Sequence, residues 1–364
     1  MNNPYITKPL EIIRKPAVSS KPFYMQIEAT THCNLACKMC VRNETIKNPM
    51  HLKFDKFKEL FDQVVPKKLT LSGVGEPMLN PELYDMVDYA RKHGTQVMIP
   101  TNATILKRRK LSEKLVDAGL NVLKISVDAA SKETYLKVRL EDYFDDIIEG
   151  IQVLEDVKRE RKTRFPELRF DFVILEDNFH EIPDLVMLSK RLGIKIIFFR
   201  ALQVEGIQGD REELLGRDVN FPQLFNAVKK GLALAQEHGI KTNLKEIAQD
   251  FMTYESLYIE HDSKMNKDVC LLPWLQCFVS VKGELAPCCA TYSNESWSAG
   301  NVYEEGFEAV WNSQKMQGLR HKFKMKQNDL AICTDCIPRS VPVLLKMSAM
   351  LPGFTYRTKE KVRT

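Results

Sequence analysis

The loop Thr30-Thr31-His32-Cys33-Asn34-Leu35-Ala36-Cys37-Lys38-Met39-Cys40 carries three thiols at C-x3-C-x2-C spacing. Three thiolates on so short a segment can hold three irons of a cubane and leave the fourth open to a ligand. They could also close a zinc shell with His32 as fourth donor. His32 is directly beside Cys33, an awkward geometry for joint ligation. A second set, Cys270, Cys288, Cys333 and Cys336, is spaced C-x17-C-x44-C-x2-C. Four thiolates saturate one cubane or one zinc ion equally well. Cys277 and Cys289 complete the nine cysteines. If the chain continues as a strand through Cys288 and Cys289, their side chains face opposite ways, and only one can reach a metal.

The distribution of thiols argues against a disulfide framework. The count is odd, the cysteines cluster at both ends, and none lies between Cys40 and Cys270. The N-terminal segment MNNPYITKPLEIIRKPAVSSKP is broken by prolines and is not a secretory signal. A reducing, cytoplasmic location is expected. No apolar run approaches the roughly 20 residues of a membrane helix. The 364 residues, 44% apolar and 28% charged, describe a globular protein of one large domain or two ordinary ones. The charge balance, 53 − 48 = +5, gives no argument for nucleic acid. No interleaving of aromatic and basic residues of the kind used by RNA-binding sheets is present.

The elements that must hold the first loop alternate. Strand-like runs lie at Phe23–Glu28, Lys68–Ser72, Thr95–Pro100, Val122–Val127, Arg169–Leu175 and Lys195–Phe199. Helical patterns lie at Phe54–Val64, Pro81–His93, Lys110–Ala118, Tyr143–Lys162 and His180–Leu192, with Gly94, Gly119 and Gly193 as stop signals. Six β-α units predict an α/β fold with a parallel sheet, either open and doubly wound or a partly closed barrel; periodicity alone does not choose. A further amphipathic helix is expected over Phe221–His238. From about Cys270 the texture changes: Lys282-Gly283-Glu284 reads as a hairpin turn and Phe307–Lys322 as one more helix. Small regions of this kind commonly need a metal staple.

The cysteine loop resembles the signature of the radical SAM superfamily, with an apolar residue, Met39, before the last cysteine. The likeness continues in order along successive strands. Ser72-Gly73-Val74-Gly75-Glu76-Pro77 is similar to the family's glycine-rich segment, which contacts the methionine amino group of S-adenosylmethionine. Thr101-Asn102-Ala103 stands where relatives often have Thr-Asn-Gly. Ser126-Val127-Asp128 and the later Arg139 match positions that touch the ribose and carboxylate of the same ligand. The resemblance therefore implies that Met39, Gly75, Glu76, Pro77, Asn102, Ser126 and Arg139 bind S-adenosylmethionine. It implies that Cys33, Cys37 and Cys40 hold a [4Fe–4S] cluster and that the fold is a partial (β/α)6 TIM-like barrel.

Gly283-x4-Cys288, Gly300-Asn301-Val302 and Trp311-Asn312-Ser313 resemble the C-terminal auxiliary-cluster domains called SPASM and, when shortened, twitch. The four-cysteine spacing is similar to the twitch form of the aminocyclitol dehydrogenases. The resemblance implies one auxiliary [4Fe–4S] cluster on Cys270, Cys288, Cys333 and Cys336. Cys277 and Cys289 are left as small hydrophobes. The implied domains are an arm over 1–22, the barrel over 23–265, the auxiliary domain over 266–340 and a tail over 341–364.

The resemblance implies a radical oxidoreductase that cleaves S-adenosylmethionine to a 5′-deoxyadenosyl radical. That radical takes hydrogen from a small polar metabolite, such as a sugar, cyclitol or related alcohol. A fully ligated auxiliary cluster cannot bind substrate, so accepting an electron is its expected use. A reducing partner such as flavodoxin or ferredoxin is implied. Arg200 and Gln203, just past the sixth strand, are candidate substrate contacts, and no general base is assigned. A peptide-modifying enzyme is the second reading; the arm of about 22 residues leaves no room for a leader-binding domain. A zinc-stabilised binding module is the reading from another class.

Overall fold

The computed structural model describes residues 16–201, 220–248, 270–295, 297–325, 327, 330 and 333. Gln203 and Cys336 fall outside them. The six expected strands are all present: β1 (Tyr24–Ile27), β2 (Lys68–Leu71), β3 (Gln96–Thr101), β4 (Val122–Ser126), β5 (Glu167–Ile174) and β6 (Ile196–Ala201). They pair in sequence order, each parallel to the next. The strands β7 (Lys241–Thr242), β8 (Gln276–Val279) and β9 (Leu285–Ala286) complete an open sheet of order β7-β6-β5-β4-β3-β2-β1-β8-β9.

Sheets with helices on both faces read as continuous apolar runs. Here the parallel strands alternate instead. Met25, Ile27, Leu69, Leu71, Val97, Ile99, Leu123, Ile125, Phe170, Phe172, Ile197 and Phe199 are at most 1% exposed and pack in one core with the helices. The intervening residues include Gln26, Thr70, Met98, Lys124, Ser126, Asp171 and Arg200, which lie on the opposite face. Helices therefore cover one side only, and the polar side is the inner face of a partial TIM-like barrel with a small C-terminal domain.

The expected helices lie within two residues of their sequence limits, and Phe54–Val64 matches at both ends. Among the helices not expected, one of eight residues follows β4. Lys132–Arg139 begins at Ser131, whose hydroxyl accepts from Thr134 N, and ends at Leu140 in the left-handed region, φ 63°. The expected helix over Phe307–Lys322 is two helices, Phe307–Trp311 and Gln314–Lys324. The break falls at Asn312-Ser313, because the Ser313 side chain accepts from Met316 N and starts a new helix there. Asn312 also exchanges hydrogen bonds with Val18 N and O, and Trp311 Nε1 donates to Ser20 O. The segment before the first strand is thus strapped to the last helices.

The hairpin around Gly283 forms as expected, with β8 antiparallel to β9. Its placement was not expected: β8 pairs parallel with β1, Tyr24 opposite Gln276 through Ile27 opposite Val279. Val279, Val281, Leu285, Val302, Phe307 and Trp311 join the same apolar core as the barrel strands. The strand does not continue to the cysteine pair. It stops at Ala286, and Cys289–Glu295 is a helix. Opposite-facing strand side chains therefore do not decide between Cys288 and Cys289.

Candidate active site at the strand ends

The four singled-out segments follow β1, β2, β3 and β4. Parallel pairing brings all four to the carboxyl ends of neighbouring strands, where α/β folds place their sites. The cysteine loop after β1 is held by the protein itself. Thr31 N donates to Met50 O at 3.0 Å, and Met50 N donates to Thr31 Oγ1 at 2.9 Å. Arg42 Nε donates to Thr31 O at 2.7 Å. Cys40 N donates to Cys37 O at 3.0 Å, closing the turn that carries the half-buried Met39. His32 does not stand as a fourth donor; its ring stacks on His51 at 4.2 Å.

Gly75 is where the second loop meets the first. Glu76 N donates to His32 O at 2.7 Å. A Cβ at Gly75 would lie 2.4 Å from Thr30 O and 2.5 Å from His32 O, so only glycine permits the approach. Gly73 is equally confined, by the Glu28 side chain at 2.3 Å. Glu76 is 3% exposed, and its carboxylate is used internally. It accepts from Met78 N at 3.0 Å, Thr101 Oγ1 at 2.8 Å and Asn102 N at 2.6 Å. Burial pushes its pKa up against these bonds. Glu76 thus ties the loop after β2 to the loop after β3, with the buried Pro77 opening the turn Pro77–Leu79.

Asn102 Nδ2 donates to Asn34 Oδ1 at 3.0 Å and stands 4.0 Å from Cys33 Sγ. Ala103 takes φ 58°, a left-handed backbone that ordinarily favours glycine. After β4, Asp128 also takes a left-handed φ, 49°. It is 1% exposed, accepts from Val173 N at 2.6 Å, and is paired with Arg139. Arg139 donates to Ser126 O at 2.9 Å and to Cys37 Sγ at 3.3 Å. Burial opposes the Arg139 charge, but Asp128 and Cys37 more than offset it, so the guanidinium stays protonated. Its Nε is buried without a partner among the described residues.

This donor set fits a [4Fe–4S] cluster. Cys33, Cys37 and Cys40 are free thiols within electrostatic range of one another. Among the described residues no three such side chains converge on a single metal ion; a cubane presents three separate irons to three thiolates. Burial pushes the Cys33 thiol up, partly offset by Leu35 N–H, and pushes the Cys40 thiol up, partly offset by Arg42 N–H and Arg139. Loading must therefore displace protons. Arg139 and Arg42 supply positive charge beside the resulting thiolates.

The second set is less compact. Cys270 and Cys333 pack against one apolar cluster of Val18, Trp274, Leu319 and Phe323. Cys288 sits at the start of the helix Cys289–Glu295, its Sγ 3.0 Å from Thr291 Oγ1. Cys277 is 1% exposed in the main core, where burial pushes its thiol well up. Cys289 is exposed.

Sequence reasoning passed over two carboxylates that organise the site. Glu28, 3% exposed, accepts from Val74 N and from Val281 N, each at 3.1 Å. It joins the glycine-rich loop to the hairpin of the C-terminal region. Asp171 on β5 pairs with Lys124 at 2.7 Å and Arg200 at 3.2 Å. The available signal was one charge centred in an apolar strand, as in Val122-Leu123-Lys124-Ile125 and Phe170-Asp171-Phe172.

Comparison with known proteins agrees with this geometry. The Radical SAM superfamily model matches residues 27–188, and the model of SPASM, an iron–sulfur cluster-binding domain, matches 270–337. The AdoMet-dependent heme synthase of Methanosarcina barkeri is 27% identical over 319 residues, 85% of this chain and 88% of that protein. A tungsten-containing aldehyde ferredoxin oxidoreductase cofactor-modifying protein of Pyrococcus furiosus is 25% identical over 337 residues, 86% of each. The structure of Streptococcus suis SuiB bound to S-adenosylmethionine shares the fold, with a TM-score of 0.65 at 15% identity over 95% of this chain and 80% of that one. Among the described residues no helix is long and apolar enough to cross a membrane. The matched models and the convergence of four loops on three free thiols lead to one conclusion: this chain is a radical SAM enzyme with a SPASM domain, and its cofactors are S-adenosylmethionine, the [4Fe–4S] cluster that binds it, and an auxiliary cluster.

Proposed function

We propose that the chain is a radical oxidoreductase acting on a small polar metabolite, such as a sugar, cyclitol or related alcohol. In this reading Cys270, Cys288, Cys333 and Cys336 hold a single auxiliary cluster in the shortened, twitch-like arrangement. The observation that carries it is the inner face of the barrel. Beside Ser126 it bears Lys124, Asp171 and Arg200, a lining suited to a polar molecule. When bound, S-adenosylmethionine and the two clusters supply a 5′-deoxyadenosyl radical and an electron acceptor. The substrate carbon gives up a hydrogen atom to that radical, and the hydroxyl proton and one electron leave as the carbonyl forms.

The chain's own residues bind and orient. Cys33, Cys37 and Cys40 hold the first cluster. The unpaired Nε of Arg139 is the donor left for the carboxylate of S-adenosylmethionine. The backbone at Gly75, Glu76 and Pro77 receives its amino group, with Met39, Asn102 and Ser126 around the rest. A flavodoxin or ferredoxin is the proposed reductant.

The test removes the auxiliary ligands. A folded Cys333→Ala/Cys336→Ala variant should still make 5′-deoxyadenosine. It should carry deuterium into it from a panel of C-deuterated cyclitols and sugars, yet form little ketone. Circular dichroism and S-adenosylmethionine binding establish the fold first, since metal and folding are coupled in small modules. Ketone at the wild-type rate without the second cluster would remove the electron-acceptor role.

A further inference from the structure

We infer that the substrate carries an anionic group, a carboxylate or a phosphate, that binds between Lys124 and Arg200 on the inner face of the barrel. Asp171 sets the spacing of the two cations and accepts a hydrogen bond from the substrate. The inference rests on the proposed radical chemistry and names the substrate class of the same site.

Lys124, Asp171 and Arg200 occupy adjacent strands β4, β5 and β6. Their neighbours Leu123, Ile125, Phe170, Phe172 and Phe199 are fully buried on the helix side, so the three charged groups face inward. Both cations reach the same atom: Lys124 Nζ is 2.7 Å and Arg200 Nη2 is 3.2 Å from Asp171 Oδ2. The other oxygen, Oδ1, is buried without a hydrogen-bond partner among the described residues. A buried carboxylate oxygen left unmatched costs free energy that a bound donor recovers.

The charges do not cancel: two cations face one carboxylate, leaving one positive charge on a lining held between apolar strands. The titration of the pair agrees. Burial pushes the Lys124 ammonium below its ordinary pKa, and Asp171 does not fully restore it while Arg200 stands alongside. Burial raises Asp171, but the two cations more than reverse that. A second anion would relieve the repulsion between the cations. Arg200 is placed to receive it: its side chain is 46% exposed, and it stacks over Phe198 at 4.9 Å. Among the described residues it donates only to Asp171, which leaves most of its planar fork for a carboxylate or phosphate. Lys124 lies two residues before Ser126 on the same face of β4, Asp171 is level with Ser126, and Arg200 lies two residues further toward the carboxyl ends, so the anion site runs diagonally up the inner face beside the S-adenosylmethionine end. A substrate held there by its charge presents its other end to the radical.

The holoenzyme, with both clusters and S-adenosylmethionine bound, is titrated anaerobically by calorimetry with malonate and, separately, with inorganic phosphate. Saturable binding of at least one is expected, and the preferred anion distinguishes a carboxylate substrate from a phosphorylated one. Lys124→Met and Arg200→Gln should each weaken it about tenfold or more, the value of one charge-assisted hydrogen bond at a half-buried site. Asp171→Asn, which removes the competing negative charge, should tighten it. Lys124→Arg should restore part of the affinity. All variants should still bind S-adenosylmethionine and make 5′-deoxyadenosine without substrate, which separates loss of the anion from loss of the fold. Wild-type protein that cleaves S-adenosylmethionine but binds neither anion overturns the inference and leaves the radical reading standing. So does equal affinity in Arg200→Gln and wild type. Anion binding without any cleavage would instead overturn the radical reading.

Discussion

The two cysteine regions are built in opposite ways. The loop of Cys33, Cys37 and Cys40 is positioned by hydrogen bonds that the protein makes without metal: Thr31 to Met50, Glu76 to His32, Asn102 to Asn34. These partners come from the segments after β1, β2 and β3. The second region draws Cys270, Cys288 and Cys333 from three separate stretches, two of them against an apolar patch and one at a helix start. A site framed by strand ends is preorganised, whereas one gathered from distant short elements depends on its metal for order. Glu28 links them by its side chain, with one oxygen on each side.

The largest expected effect breaks the comparison apart. Replacing Cys33, Cys37 and Cys40 together by Ala should remove about half of roughly eight irons, four per cubane. It should abolish 5′-deoxyadenosine formation while leaving the melting temperature nearly unchanged. Cys288→Ala should do the reverse, lowering the melting temperature while the first cluster keeps its spectrum. Iron analysis and thermal denaturation read both; a triple variant that melts first would show that the first loop also depends on its metal.

Glu28→Gln tests the link. The amide keeps one acceptor and loses the other, leaving Val74 N or Val281 N unpaired at a cost of about 1–3 kcal/mol. Denaturant unfolding should register the loss, and S-adenosylmethionine should bind more weakly. Burial pushes the Glu28 carboxyl above the ordinary glutamate value, against its two N–H bonds, with Glu284 raising it and Lys282 lowering it. The folded chain then holds a proton that the unfolded chain has released. Wild-type stability should therefore fall as pH rises from the ordinary glutamate pKa through the raised one, and Glu28→Gln should flatten that part of the slope. An unchanged slope would show that Glu28 does not titrate in that window.

The smallest effect sharpens the picture of the first site. Ala103→Gly relieves a left-handed backbone worth about 1–2 kcal/mol. It gives up a buried methyl, about 0.8 kcal/mol, and adds backbone entropy to the unfolded chain. Near-neutral stability with unchanged S-adenosylmethionine affinity is expected from calorimetry. A tenfold loss of affinity would mean that the Ala103 methyl shapes the ligand site itself.

Much of the barrel was legible because its signals are local. Short apolar strands alternate with amphipathic helices, and Gly94, Gly119 and Gly193 take the left-handed φ at the helix ends. The C-x3-C-x2-C loop and the segments at Gly75, Asn102 and Ser126 could be read in order because each follows its own strand. The helix Lys132–Arg139 was missed because its start depends on the Ser131 cap more than on apolar spacing. The break at Asn312-Ser313 was missed for the same kind of reason, a side chain competing locally for backbone N–H groups.

The sequence by itself determined which residues could carry the chemistry, since thiol spacing and strand-end position are set within a few residues of chain. Only the tertiary structure decided three further things. It paired β8 with β1, joining segments some 250 residues apart through a register that no local pattern encodes. It buried the Glu76 carboxylate as a tie between the loops after β2 and β3. And it brought Lys124, Asp171 and Arg200 together from three strands. Charge pairing across a sheet depends on which strands are neighbours and on which face each side chain takes, and both are fixed only when the whole core packs.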